Sequence, residues 1–295
     1  MMSRSMMVLA VLIALPGTAA CQNLLVNPGF TNDLSGWMVT GAAVWTGSQD
    51  AQGSPSSGSA LITAVSGPGS RICQCVALKG GPFYEYGGSY RAPSRQALSQ
   101  MTTHTSLAFS PDPPGPWCLP WILIPPEIQL GPSQADTWFS VGPRVASPPP
   151  GAVSVLFCAS VRSYPGLDQA YFDNALLQAT DTVLPLQNSF FNIRVTWETP
   201  EGVSGVGHAV QLSEETGYFW FLDPGGPEIV IKVVNACFFN NRFWLFVGGL
   251  TNIKVVMTVT DVFSGVSRRY VNPQGSPFRP IQDTDFDGSV CFPHP

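Results

Sequence analysis

N-L-L-V-N-P-G-F at Asn23–Phe30 and Y-F-D-N-A-L-L at Tyr171–Leu177 bracket the first half of the 295-residue chain. Between these two strings, short apolar stretches alternate with glycine, proline, serine and asparagine. The chain contains 29 glycines and 28 prolines, which favour many short strands joined by turns over long helices. The sequence therefore predicts an all-β fold.

The second half shows more regular strand patterns. Glu228–Val234 (E-I-V-I-K-V-V) places its aliphatic residues at alternate positions, as in a strand with one buried side. Further short strand candidates follow at a spacing typical of a small β-sandwich. We predict two β-sandwich domains, at residues 23–180 and 186–295, joined by a linker within Thr180–Asn188.

The charge composition argues against one class of partner. Charged residues make up 11% of the chain, the formal net charge is −5, and no basic run occurs. Nucleic-acid binding depends on clustered lysine and arginine side chains, so a nucleic acid is not expected as a partner. Hydrophobic residues make up 44% of the chain, which is enough to build a substantial core.

Residues 1–20 have the pattern of a secretory signal peptide. Arg4 provides a positive charge, the apolar run Met6–Leu15 follows, and Pro16 ends it before small residues. The signal peptide predicts an extracytoplasmic protein. Its apolar run is too short to span a membrane and no later run is long enough, so we expect a protein that is not integral to a membrane. Cys21 at the cleavage point has two interpretations, a lipidated anchor or a cysteine left over by simple cleavage.

The seven cysteines predict disulfides, because an exported protein folds in an oxidising compartment. Apart from Cys21, both halves hold an even number of cysteines. The second half allows one pairing, between Cys237 and Cys291. The first half contains Cys73, Cys75, Cys118 and Cys158, which allow three pairings. Cys73 and Cys75 lie two apart on a predicted strand, so they are expected to take different partners.

Motifs of common catalytic sites do not occur in the sequence. There is no G-x-S-x-G nucleophile elbow, no H-E-x-x-H zinc helix and no C-x-x-C pair. The acidic pair Glu214–Glu215 precedes a hairpin turn, so we interpret its carboxylates as solvent-exposed and not as catalytic. We therefore predict that the protein is not an enzyme.

Five strings in the first half occur in the order found in a known family. They are N-L-L-V-N-P-G-F, L-S-G-W at Leu34–Trp37, S-G-S-A-L-I at Ser57–Ile62, Q-C-V-A-L at Gln74–Leu78 and Y-F-D-N at Tyr171–Asn174. Together they resemble the secreted carbohydrate-binding modules with a galactose-binding-like jelly-roll fold. The resemblance implies such a jelly roll at residues 23–180, with a polysaccharide or another glycan as ligand, and core positions for Trp37 and Trp138.

A sugar-binding site needs aromatic rings that stack on the sugar and a few polar groups that fix its hydroxyls. Outside the strings assigned to the core, the candidates are Trp45, Trp117, Trp121 and Tyr164. Trp117 and Trp121 lie in the proline-rich segment Ser110–Pro126. Proline cannot donate to a sheet ladder, so we expect this segment to be a loop or an excursion at a sheet edge. Ligand contact and packing within the loop are equal interpretations for these two rings.

Two segments are candidates for a structural calcium ion. The resemblance implies a ligand at Asp173, while Thr31 stands where these modules usually carry an acidic residue. Near the C-terminus, Asp283, Asp285 and Asp287 match the start of a D-x-D-x-D-G calcium loop, but the glutamate at its twelfth position is missing. A polar turn is the default interpretation of this second segment.

The second half contains G-Y-F-W-F at Gly217–Phe221 and F-W-L-F-V-G-G-L-T-N at Phe243–Asn252. It resembles a C-terminal β-sandwich module that occurs on diverse secreted bacterial proteins and has no assigned activity. Our leading hypothesis is a non-catalytic protein whose first module binds carbohydrate. The alternatives are a structural or protein-interaction protein with no sugar ligand, and a hydrolase whose site is not visible in the sequence.

Overall fold

The computed structural model describes residues 22–65, 69–94, 101–115, 118, 134–163, 168–286 and 291, together with the backbone of residues 122–130. The predicted all-β fold is confirmed, since the regular elements of the described residues are strands apart from one short helix, α1, at Cys237–Asn240. The predicted signal peptide and Cys21 lie outside the described residues. Within the described ranges, no helix has both the length and the hydropathy that a membrane span requires.

The first half is a sandwich of two five-stranded antiparallel sheets. Sheet A has the strand order β1-β4-β9-β6-β7, and sheet B has the order β2-β3-β10-β5-β8. The strands are β1 Met38–Thr40, β2 Ala42–Thr46, β3 Ser59–Thr63, β4 Ser70–Ala77, β5 Phe83–Arg91, β6 Met101–Ser110, β7 Ile122–Leu130, β8 Trp138–Ala146, β9 Ser154–Ser163 and β10 Gln169–Thr180. The predicted jelly roll is confirmed.

Aromatic residues of the bracketing strings fill the core between sheets A and B. Phe172 is fully buried, and its ring centroid lies 4.7 Å from that of Tyr90 and 6.0 Å from that of Phe30. Trp37 is also buried, as the resemblance implied. Trp138 differs: it is only half-buried and packs 6.5 Å from Tyr171, because its position on β8 directs it to the outer side of sheet B.

The second half is a smaller sandwich, as predicted. Sheet C has the order β11-β12-β18-β19, with β13 paired to β12, and sheet D has the order β14-β15-β16-β17-β20. The strands are β11 Leu184–Leu186, β12 Phe191–Glu198, β13 Ser204–Val206, β14 His208–Gln211, β15 Thr216–Trp220, β16 Ile229–Ala236, β17 Arg242–Gly249, β18 Lys254–Asp261, β19 Ser267–Asn272 and β20 Ile281–Phe286.

The linker prediction was wrong for the segment that forms β11. Leu184 and Leu186 are fully buried, and β11 pairs with β12. The first sandwich also contributes to the second core, where Phe83 and Val145 pack. A division into separately folding domains at residues 180 and 186 stays a prediction.

The proline-rich segment reaches the edge of sheet A. Its last five residues, 122–126, belong to β7, which among the described strands pairs with β6 alone and ends the strand order of the sheet. Pro125 and Pro126 lie within this strand. The edge alternative of the prediction is therefore confirmed for this part, because a strand with one unpaired side tolerates residues that lack an N–H.

Three disulfides join the described cysteines. Cys237 is bonded to Cys291, as predicted. In the first half, the bonds are Cys73–Cys158 and Cys75–Cys118, so Cys73 and Cys75 take different partners, as expected. Cys73 and Cys158 stand directly opposite each other on β4 and β9, which explains which of the three possible pairings occurs.

Candidate functional site

Five aromatic rings lie on the outer side of sheet D in two groups, one on β15 and one formed by β17 with α1. Strands β15 and β17 alternate: one set of side chains, such as Phe219 and Leu245, is buried between the sheets, and the other set points outward. The outward set contains aromatic residues where polar ones are usual. We call this surface the aromatic face and define it by Tyr218, Trp220, Phe239, Trp244 and Phe246.

The rings of the aromatic face are held by neighbouring groups. Trp244 lies 6.5 Å from Phe246 and 5.8 Å from Phe239 between ring centroids, and its Nε1 donates a hydrogen bond to Oδ1 of Asn240 at 3.3 Å. His208 stacks on Trp220 at 4.1 Å with an angle of 17° between the ring planes. These contacts restrict the rings before any ligand arrives, which lowers the entropic cost of binding.

Polar groups lie between the rings of the aromatic face. Lys232 stands opposite Phe246 on the neighbouring strand, and its Nζ lies 3.6 Å from a carboxylate oxygen of Glu215. Gln282 stands on the other side of Phe246. Next to these residues, Gly248 leaves open space, since a Cβ placed there would meet no atom within 4 Å. The face can therefore stack on a flat ligand and hydrogen-bond its hydroxyls at the same time.

Sequence reasoning missed the aromatic face as a site. The strings G-Y-F-W-F and F-W-L-F-V carry aromatic residues at both even and odd positions, which is the signal that both sides of the strands are aromatic. The core accounts for the aromatic residues on one side of the strands. Those on the other side need a different explanation.

The outer side of sheet A is partly covered by the chain itself. The two disulfides of the first half lie here, and together with Ala108 and Leu156 they form a small buried cluster. At the other end of this side, Oγ1 of Thr102 and Nε2 of His104 are 2.9 Å apart. The cluster closes one end of this side, and His104 at the other end is buried as well.

The structure shows one of the four predicted aromatic ligand residues. Trp45 is 38% exposed, and its Nε1 donates a hydrogen bond to the carbonyl of Phe30 at 2.8 Å, which restricts the ring. The other three predicted residues, Trp117, Trp121 and Tyr164, lie outside the described residues. Ligand contacts by all four stay a prediction.

Asp173 is buried at the end of the first sandwich and holds a loop. Its Oδ2 accepts the N–H of Ala51 at 2.8 Å, and its Oδ1 accepts the N–H of Asn174 at 2.7 Å. Burial and, to a smaller extent, the charge of Asp50 raise the pKa of Asp173 to about 6, although the two N–H groups lower it. Asp50 accepts hydrogen bonds from Ser54 and Ser57, so both carboxylates organise the same loop.

The nearby Asp50 was not predicted as part of this site. It lies far from Asp173 in the sequence, and only the fold brings the two acidic groups together. Carboxylates of this kind are ligands that calcium prefers. Within the described ranges, no group of three or more His, Cys, Asp or Glu side chains is arranged to hold a metal ion.

The raised pKa of Asp173 predicts a pH dependence. The folded protein keeps a proton on this carboxyl between its ordinary value of 3.8 and about 6, where the unfolded chain has lost it. The contribution of Asp173 to stability is therefore present at pH 4 and falls by about 3 kcal/mol as the pH rises through 6. Chemical unfolding in EDTA at pH 4 to 7 should show this loss as a difference between the protein and Asp173→Asn. Parallel pH profiles of the two would contradict it.

The C-terminal aspartates lie on a strand, and not in the polar turn that the sequence predicted. Asp283 on β20 accepts hydrogen bonds from Nη1 of Arg268 at 2.8 Å and from the hydroxyl of Tyr270 at 2.5 Å. Asp285 accepts one from Nε of Arg242 at 3.1 Å. An extended backbone separates the two carboxylates, and both serve ion pairs. Asp287 lies outside the described residues, and a metal at this segment stays a prediction.

One histidine is paired with a carboxylate. Nδ1 of His208 lies 2.8 Å from Oδ2 of Asp181, while the ring of His208 stacks on Trp220. Among the residues that the structure describes, no serine, threonine or cysteine hydrogen-bonds to His208. The pair therefore holds the imidazole of His208 against the Trp220 ring of the aromatic face.

The chain matches no family model and no curated protein. Among solved structures, the enzymatically active domain of tailspike protein 4 from bacteriophage CBA120 is 17% identical, covers 53% of this chain and 21% of its own, and has a TM-score of 0.39. TmCBM61 in complex with beta-1,4-galactotriose is 16% identical over 54% of this chain and 99% of its own, with a TM-score of 0.36. The tandem CBM22-1-CBM22-2 domain of Paenibacillus barcinonensis Xyn10C is 12% identical over 92% of this chain and 93% of its own, with a TM-score of 0.38. These likenesses are too distant to assign a ligand or an activity to this chain.

Proposed function

We propose that the protein is a non-catalytic carbohydrate-binding protein. The aromatic face carries this proposal, because five partly exposed rings lie on the side of sheet D that faces water. An aromatic ring can stack on the apolar C–H face of a sugar ring. Lys232, Glu215 and Gln282 lie within the same surface and supply donors and acceptors for hydroxyl groups. The combination fits a polysaccharide chain that lies across the sheet.

Protein binding is the competing function, and the shape of the surface favours carbohydrate over it. Protein interfaces are organised around side chains that fill pockets at their centre. The aromatic face is a sheet surface with charged and amide groups between its rings, and the rings are braced by His208 and Asn240. A polysaccharide has no large apolar side chain to insert, so it gains most from such a flat and rigid surface.

The disulfides support an extracytoplasmic location for this function. Three disulfides join six of the seven cysteines, and bonds of this kind persist in oxidising compartments. Glycans of cell surfaces and of extracellular matrices are accessible to a protein located there. Lipid anchoring through Cys21 stays a prediction, and the mass of the mature N-terminus decides it.

Binding of the full chain to insoluble and soluble polysaccharides tests the proposal. In the double variant Trp220→Ala/Trp244→Ala, we expect roughly 10- to 100-fold weaker binding, because each stacked ring contributes about 0.5–1.5 kcal/mol. Trp220→Phe/Trp244→Phe keeps a ring at both positions and should retain most of the affinity. Leu222→Ala, at an exposed apolar residue outside the face, serves as the matched control and should bind like the unchanged protein.

A second pair of variants tests the site that the sequence predicted. If Trp117→Ala/Trp121→Ala abolishes binding and Trp220→Ala/Trp244→Ala does not, the ligand binds through the first half and the aromatic face is overturned as its site. If no polysaccharide of the panel binds the unchanged protein, carbohydrate binding is overturned and the protein-interaction alternative takes its place.

A further inference from the structure

A cleft lies between the two sandwiches, away from the aromatic face. It has a volume of about 470 Å³ and is lined by residues of β8 from the first half and of β12 and the β18–β19 turn from the second. Its lining includes Pro143, Arg144, Asn192, Asp261 and Phe263. Both halves must be in place for the cleft to exist.

Arg144 is the most unusual group in this cleft. It is 4% exposed, and its Cζ lies 4.3 Å from the centroid of the Phe263 ring. Its Nη1 is buried, and no described residue accepts a hydrogen bond from it. A buried donor without an acceptor is costly, and more so when it belongs to a charged group. The guanidinium is thus fixed by the ring and lacks an acceptor within the described part of the chain.

The carboxylates near Arg144 are engaged by other groups. Asp261 is its acidic neighbour, but Oδ1 of that carboxylate already accepts the N–H groups of Phe263 at 2.8 Å and Ser264 at 3.2 Å. Arg194 also lines the cleft, and it forms an ion pair with Glu85. Arg194 is therefore already paired, and the hydrogen-bonding capacity left for a ligand is that of Nη1 of Arg144.

A second polar group in the cleft is unsatisfied. Asn192 is 9% exposed, and its Oδ1 is buried without a hydrogen-bond partner among the described residues. Because the oxygen and nitrogen of an amide can exchange places, the group that satisfies Asn192 should be able both to donate and to accept. A hydroxyl does both.

We infer that the cleft binds a small ligand that carries a carboxylate together with hydroxyl groups, the chemistry of a hexuronate sugar. The carboxylate accepts hydrogen bonds from Arg144, whose planar fork matches two carboxylate oxygens. A hydroxyl of the ligand satisfies Asn192, and its ring packs beside Pro143 and Phe263. This site shares no residue with the aromatic face, so the inference does not depend on the proposed function.

Calorimetric titration of the full chain with sodium glucuronate, glucose and sodium acetate tests the inference. Glucuronate should bind saturably and at least about tenfold more tightly than glucose, which lacks the carboxylate, or acetate, which lacks the hydroxyls. Arg144→Gln should weaken glucuronate binding at least about tenfold and leave glucose unaffected. Arg71→Gln, at an exposed arginine of sheet A, is the matched control and should bind like the unchanged protein.

Further variants separate ligand binding from a structural role of Arg144. Asn192→Ala should also weaken glucuronate binding, whereas Trp220→Ala/Trp244→Ala should leave it unchanged. If Arg144→Gln fails to fold, Asn192→Ala and the three-ligand comparison carry the test. Equal binding of glucuronate and glucose, no binding of glucuronate, or undiminished binding by folded Arg144→Gln would each overturn the inference.

Discussion

Phe172→Ala should lower the free energy of unfolding by about 3–5 kcal/mol. The ring is fully buried and is surrounded by the aromatic rings of Phe30, Tyr90 and Phe157. It also fills the space beside Gly88, where an added Cβ would lie 2.4 Å from a ring carbon of Phe172. Removing the ring therefore leaves a cavity that these fixed neighbours cannot close, and this cost adds to the lost burial of apolar surface.

Urea unfolding followed by tryptophan fluorescence measures this effect. Phe238→Ala is the matched control, because it removes the same ring from a side chain that is 101% exposed. We expect the control to change the free energy of unfolding by less than about 0.5 kcal/mol. A loss below 1 kcal/mol in Phe172→Ala, or equal losses in the two variants, would show that the core is not packed as described.

Removing the Cys73–Cys158 disulfide should also lower the free energy of unfolding by a large amount. The bond closes a loop across 85 residues, and the entropy of such a loop in the unfolded chain corresponds to about 4.5 kcal/mol. Both cysteines are buried, and alanine fits the space they leave, so Cys73→Ala/Cys158→Ala tests the cross-link with little further disturbance. Thermal and urea unfolding of the variant report the difference.

A comparison with the second disulfide of the jelly roll serves as the internal control. Cys75–Cys118 closes a shorter loop, across 43 residues, so its removal should cost slightly less, about 4 kcal/mol. Reduction of the unchanged protein should destabilise it more than either double variant. If Cys73→Ala/Cys158→Ala unfolds at the same urea concentration as the unchanged protein, the loop-entropy account fails for this chain.

The closing string Y-F-D-N-A-L-L shows how far sequence reasoning reaches in this protein. The resemblance implied a jelly roll that includes this string, and in the structure the string lies on β10, where Phe172 is buried because a strand in a sandwich buries every second side chain. The same string could not reveal Asp50, since the contact between Asp50 and Asp173 depends on a loop that returns to β10 from far away in the sequence. Cysteine parity led to Cys237–Cys291 but left the first half open, because the pairing there follows from the register of β4 against β9.

The two binding surfaces show the same limit. To predict the aromatic face, one must know which side of β15 and β17 is buried, and this depends on how sheet C packs against sheet D. The cleft at Arg144 is harder to predict, because its residues come from both sandwiches. Nothing in the local sequence P-R-V distinguishes this arginine from a solvated one. The predicted linker failed because the residues around Leu184 are buried by tertiary contacts that a short apolar pattern does not reveal.

Pro125 and Pro126 have a consequence for how copies of this protein behave in each other's presence. An unpaired outer strand can continue its ladder into a neighbouring molecule, and growth of this kind produces insoluble assemblies. Strand β7 is the last strand in the order of sheet A, and its two adjacent prolines lack N–H groups. Because successive N–H groups of a strand point to opposite edges, one of the two missing donors falls on the outer edge, where it interrupts the ladder of an added strand and opposes self-association there.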